Sequence, residues 1–142
     1  MFSNILLAYD GSGQHAAALH QAVELAQLCK AELHLLGVVV TTGTAGADRS
    51  AKVNDLFSGE RKQIEDALGA VAEDLERQGI NVATCIRQGE PAHEIAAHAH
   101  EIKADLAVLG HTDKGFLARW FLGSTGAELI RHMPCNLLII TE

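Results

Sequence analysis

Chemistry in this chain would gather at Leu106-Ala107-Val108-Leu109-Gly110-His111-Thr112-Asp113-Lys114-Gly115 and, beyond Trp120, at Gly123-Ser124-Thr125-Gly126. Four apolar residues closed by Gly110 predict a strand ending in a turn, and Gly123-Ser124-Thr125 ahead of Ala127, Leu129 and Ile130 predicts a capped helix start. The connection is longer than the roughly 2–6 residues usual between a strand and the next helix, and extra length marks functional loops. Glycines let a ligand approach the backbone, and the unpaired amides of Ser124, Thr125 and Gly126 would face it from a helix N-terminus, which favours phosphate. Ser124 would cap the helix and offer its hydroxyl. On the glycines alone, two turns and a cap explain the same residues equally well, because Gly-rich loops are weak motifs.

Other reactive side chains support less. His111 beside the turn has no partner to make it a general base, so any hydrolysis there would be slow, and Ser124 has no His/Asp relay for acyl transfer. His93, His98 and His100 share a helix but lack a set of partners at zinc spacing, and a solvated face accounts for them. Asp10, ending an apolar run before Gly11, is by itself an ordinary turn former or cap. Trp120-Phe121-Leu122 reads as a hydrophobic plug that seats the following helix.

The elements that would position these residues alternate. Ile5-Leu6-Leu7-Ala8-Tyr9 reads as a buried parallel strand closed by Asp10-Gly11-Ser12-Gly13. From Gln14 to Lys30 the period becomes helical, with Ala16, Leu19, Val23 and Ala26 on one stripe and Ala22 and Leu25 beside it. Leu33 to Val40 is a second strand, and Thr41 to Ser50 has neither period. Val53, Phe57, Ile64, Leu68, Val71 and Leu75 line one face of a long helix that Gly79 ends. Ile80 to Ile86 is a third strand, alternating enough to lie near an edge. Gln88-Gly89-Glu90-Pro91 opens a helix with Pro91 in its first turn and Ile95, Ala99 and Ile102 on its apolar side. Ala104 to Leu109, Ser124 to His132 and Leu137 to Ile140 complete the series. Strands alternating with helices predict an α/β fold, an open parallel sheet covered on both faces, and such sheets bind ligands outside the carboxyl ends of their strands.

The chain has 142 residues and a net charge of −7 with histidine neutral, which suits one domain over residues 1–142 and argues against nucleic acid and anionic membrane surfaces as partners. Cys29, Cys85 and Cys135 form no CxxC pair, which fits a reducing compartment. Met1 to Leu7 lacks the basic start of a signal peptide, and no apolar run nears the ~20 residues of a membrane span, so the expected location is the cytoplasm. There is no Gly-x-Gly-x-x-Gly after the first strand and no Gly-x4-Gly-Lys-Ser/Thr, which disfavours dinucleotide and P-loop sites.

Gly110-x2-Asp113-x9-Gly123-Ser124, followed by Arg131-His132-Met133-Pro134-Cys135-Asn136 and an apolar strand, resembles the C-terminal third of the universal stress protein family. Asp10, Gly89-x-Pro91 and Ala104-Asp105-Leu106 extend the resemblance along the chain. It implies a five-stranded sheet in the order 3-2-1-4-5, of the adenine nucleotide α-hydrolase kind, with strands one and four neighbours where strand order reverses. It also implies a crevice for ATP or another adenine nucleotide. Ala8, Tyr9 and Asp10 would line the nucleoside, with Asp10 near ribose or a metal, and Val38 would offer backbone to adenine. Leu109, Gly110, Thr112 and Asp113 would form one side of the phosphate loop, and Gly123, Ser124, Thr125 and Gly126 the other.

Two residues depart from the nucleotide-binding pattern. Asp113 stands where those relatives have glycine; a carboxylate about 4 Å from a phosphate oxygen, at an effective dielectric of about 20, repels it by roughly 4 kcal/mol. Lys114, or a divalent cation such as Mg held by Asp113 or Asp10, would offset this. Gly126 replaces a hydroxyl residue. These departures leave open a dimeric stress or interaction module that binds no nucleotide, and a third, weaker reading is a slow ATPase. The fifth strand is apolar and would lie at an open edge, and pairing with a second copy through Asn136 to Thr141 would cover it, as the family commonly does.

Overall fold

β1 (Asn4–Ala8) is the centre about which the sheet is built, and Ile5, Leu6, Leu7 and Ala8 are all buried, as expected of a strand covered on both faces. The computed structural model describes residues 1–9, 16–40, 51–111 and 124–141. After β1 come α1 (Ala16–Cys29), β2 (Glu32–Val40), α2 (Ala51–Arg77), β3 (Val82–Gly89), α3 (Pro91–Glu101), β4 (Leu106–His111), α4 (Ser124–His132) and β5 (Asn136–Thr141). The five strands are parallel and lie in the order β3-β2-β1-β4-β5.

Alternate residues of each strand serve different layers. Ile5 and Leu7 of β1 and Leu33, Leu35 and Val39 of β2 pack with Ala18, Ala22 and Ala26 of α1 and with Ile64, Leu68 and Leu75 of α2. Leu6 and Ala8, with Leu36 and Val38, pack on the opposite face with Ala92, Ile95 and Ala99 of α3 and Leu129 of α4. Helices therefore cover both faces.

Local details differ from the periodic reading in two helices. The stripe of α1 nearest the sheet is Ala18, Ala22 and Ala26, spaced four apart, whereas Ala16 is exposed and Leu19, Val23 and Leu25 flank the stripe half-buried. Small side chains let this helix lie close over the strands, so the larger residues fill the margins. Of the α3 histidines, His93 and His100 lie on a solvated face, but His98 is buried with 7% of its surface exposed. β3 also runs three residues beyond Ile86, because β2 continues to Val40 and pairs it with Gly89.

Gly37 is the point at which α2 touches β2. A Cβ there would run into Ile64 Cγ2 and come within 3.3 Å of Leu68 Cδ1, so the missing side chain sets how close the helix can lie. At the other end of β3, Gly89 has φ +152, and a Cβ there would meet Glu94 Oε1 at 2.6 Å. That glycine lets the first turn of α3 fold back onto the strand end.

Candidate functional site

The register brings together the strand ends on which the site depends. Ala8 pairs with Leu36 on one side and with Leu109 on the other, and the Tyr9 amide donates to the Leu36 carbonyl at 2.9 Å. Connections leave β1 toward β2 on one side, while β4 fills the other, so strand order reverses between β1 and β4. That is where open α/β sheets take ligands. Gly110, one residue beyond Leu109, still pairs with Ile140 of β5.

What these residues can offer is main chain. Ala8, Val38 and Leu109 are buried with their side chains in the layer under α3 and α4, so only their backbone groups and those just beyond are available at the strand ends. Val38 therefore offers only its backbone at the strand end. Tyr9 is also buried, but with the opposite layer, among α1 and α2 residues. Its ring belongs to the core under those helices, and its backbone is what reaches the strand end.

The helix N-termini differ in a way that bears on anions. At α3, Glu90 is the N-cap, its carboxylate accepting from the Ala92 amide at 3.2 Å and from the His93 amide at 2.9 Å, and Glu94 adds a second acid in the first turn. Those amides are already occupied by the chain's own carboxylate. α4 begins at Ser124 and has no acidic residue in its first turn. Because α4 returns from β4 to the parallel β5, its N-terminus starts from the carboxyl side of the sheet. The leading amides of Ser124, Thr125 and Gly126 thus lie at a positive helix end that no acid of its own first turn offsets. Asp10, Thr112, Asp113 and Gly123 lie outside the described residues, as do Trp120-Phe121-Leu122 and Thr41 to Ser50.

Opposite the crevice, on the amino side of the sheet, Asp105 fixes the strands. Its carboxylate accepts the Ser3 amide at 2.7 Å and the Asn4 amide at 3.2 Å, and Asn4 Nδ2 donates to the Ile102 carbonyl at 3.2 Å. This clasp locks β1 to the turn before β4, and so sets the depth at which their far ends stand. A separate cavity of about 500 Å3 runs between α3 and the end of α4, lined by Glu90, His93, Ala96, His100, His132 and Pro134. Among the described residues it shares none with the predicted site.

Sequence reading missed Glu90 as a cap; the available signal was an acid directly before Pro91 and four residues before Glu94. It also missed the charged cluster on the sheet side of α3. Arg87 of β3 donates to Glu94 and to Glu101 at 2.7 Å each, and these carboxylates hold its guanidinium more firmly charged than usual. Burial pushes the His98 and His34 imidazoles below their ordinary range, while the Cys135 thiol is pushed up by burial. Cys29, Cys85 and Cys135 are free and half-buried, and none of the described helices is long and apolar enough to cross a membrane. Among the described residues, no three His, Cys, Asp or Glu side chains are grouped to hold a metal ion.

Known proteins resemble this chain over its whole length. A universal stress protein from Bacillus subtilis, YxiE, is 32% identical over 147 residues, covering 99% of each chain. A solved universal stress family protein from Burkholderia pseudomallei is 30% identical with a TM-score of 0.72, over 97% of this chain and 95% of its own. More distant structures share the fold. One is a universal stress protein in complex with cAMP, 21% identical with a TM-score of 0.70 over 98% of this chain and 97% of its own. Another, from Archaeoglobus fulgidus in complex with dAMP, is 18% identical with a TM-score of 0.68 over 97% of each chain. A third, from Arabidopsis thaliana with AMP bound, is 16% identical with a TM-score of 0.70 over 99% of this chain and 92% of its own. With the model of the universal stress protein family matching residues 1–141 and the sheet in the order that the resemblance implies, the chain belongs to that family.

Proposed function

We propose that this chain is a cytoplasmic stress-response protein, one domain over residues 1–142, that binds an adenine nucleotide, ATP or AMP, at the carboxyl ends of β1 and β4. Its mechanism is binding, with occupancy changing its shape or its partners, and no residue is assigned a catalytic role. The observation that carries the reading is the meeting of Ala8 and Leu109 in register at the reversal of strand order, with the first turn of α4 free of acids. Main-chain groups at such a mouth suit a nucleoside, and the amides at the start of a helix suit its phosphates. The nucleotides in the related structures named above support the same ligand class. A divalent ion such as Mg would reach the site on the nucleotide, with Asp10 or Asp113 as its protein ligands.

In the same reading the protein is a homodimer paired through β5. That strand lies at the edge of the sheet, Ile139 on it is 37% exposed, and Ile130 of the adjoining α4 is 63% exposed. An apolar edge of this kind is shielded when a second copy covers it.

Asp113 favours a second reading, a dimeric interaction module that takes no nucleotide, because its carboxylate replaces a glycine in the phosphate loop. Thermal unfolding with ATP, ADP and AMP, with and without magnesium, separates the two. A nucleotide present at a hundred times its dissociation constant stabilises the fold by about 2.7 kcal/mol. An unfolding temperature that does not move at millimolar nucleotide overturns the first reading and leaves the second.

A further inference from the structure

The sheet face beneath α3 carries a cluster of titratable groups unrelated to the crevice. His98 of α3 is buried, and its Nδ1 has no hydrogen-bond partner among the described residues. His34 of β2 lies on the same face, with its side chain 13% exposed and its Nε2 also without a hydrogen-bond partner among the described residues. The two rings are close enough for a charge on one to oppose a charge on the other.

The surrounding charges come from each element packed here. β3 supplies Arg87, held between Glu94 and Glu101 of α3, and the half-buried Cys85. Glu101 Oε2 is 3.8 Å from His98 Nδ1, and Glu32 Oε1 of β2 is 3.7 Å from His34 Nε2, distances at which neither ring makes a hydrogen bond. Glu101 favours a proton on His98, but burial of the ring and the charge of Arg87 outweigh it.

We propose that His34 and His98 form an acid-sensitive latch: with both rings neutral α3 stays seated on β2 and β3, and a proton on His98, where it adds a second cation beside Arg87, or on the buried His34 releases the helix. Two costs oppose that proton. A buried imidazolium loses its hydration, and on His98 it also stands near the Arg87 guanidinium, which remains charged throughout, whereas on His34 burial outweighs the pull of Glu32. The sign follows from these costs. A ring that is harder to protonate in the folded state contributes its full stability above about pH 6.5, the ordinary imidazole value, and loses it as the pH falls toward the folded-state value. Ala92, Ile95 and Ala99 of α3 share a layer with Ala8, Val38 and Leu109, so release of the helix would loosen the underside of the crevice. That last consequence rests on the proposed nucleotide site, whereas the latch does not.

The latch is tested on the whole protein without nucleotide. NMR titration of the imidazole protons should place His34 and His98 below 6.5. Hydrogen exchange between pH 7.5 and 5.5, corrected for the intrinsic effect of pH on amide exchange, should show α3 opening more readily in acid. The opening constant should rise by up to about tenfold per pH unit for each ring below 6.5, while α1 changes less. His98→Gln should flatten that dependence, and His34→Gln serves if the first variant does not fold. Rings that titrate at or above 6.5, α3 protection independent of pH, or equal loss of protection in α1 and α3 would each overturn the proposal. Loss of nucleotide binding in acid with α3 still protected would overturn the latch alone, and a working latch in a protein that takes no nucleotide would overturn only the nucleotide site.

Discussion

Asn4 and Asp105 hold each other from both sides: the Asp105 amide donates to the Asn4 carbonyl at 3.0 Å, and the Asp105 carboxylate accepts the Asn4 amide at 3.2 Å. The same carboxylate takes the Ser3 amide, so the start of β1 is tied to the start of β4 before either strand enters the core. Because strands are stiff and rise by a fixed step, anchoring one end sets where the other emerges. The crevice is thus positioned from the far side of the sheet.

Asp105→Ala removes the acceptor for two main-chain amides at once. Hydrogen bonds to a charged group contribute about 1.5–3 kcal/mol, and partial exposure of this pair places the expected loss toward the lower end. Urea unfolding at neutral pH measures it. A midpoint within error of the unmodified protein would show that water replaces the clasp without cost.

Gly37→Ala should destabilise the fold by about 1–3 kcal/mol, because the added methyl collides with Ile64 Cγ2. Ile64 is β-branched and cannot easily swing away. Gly37→Ala combined with Ile64→Ala should recover part of the loss if the collision is its cause. Additive losses in the double variant would assign the effect to the strand backbone instead.

Asp113→Gly should strengthen nucleotide binding, by up to roughly a thousandfold if the carboxylate lies about 4 Å from a phosphate. Isothermal titration with ATP, with and without magnesium, reads the change. Weaker binding in the variant only when magnesium is present would instead mark Asp113 as a ligand of the metal.

Ile139→Lys places a charge on the exposed edge strand and should turn the dimer into a monomer, as seen by light scattering after size exclusion. Its exposure in the isolated chain makes a folding defect small. An unmodified protein that runs as a monomer would remove the β5 pairing from the proposal.

The amino-acid sequence by itself determined the succession of strands and helices, because apolar period and chain punctuation are local properties. Gly79 has φ +82 after α2 and Pro91 opens α3, where the chain's own signals put them. The order of the strands came from family resemblance, since periodicity does not choose neighbours, and the register of Ala8 against Leu109 agrees with it. Only the tertiary structure decided which way Tyr9 faces, because the layer entered by alternate residues depends on what covers each side of the sheet. The helical repeat already sets His98 beside Ile95, Ala99 and Ile102 and away from His93 and His100, and the sheet that covers this stripe is what buries the ring. Gly37 and Glu90 belong with these, since a close approach and an occupied cap are relations between segments, and no single segment carries them.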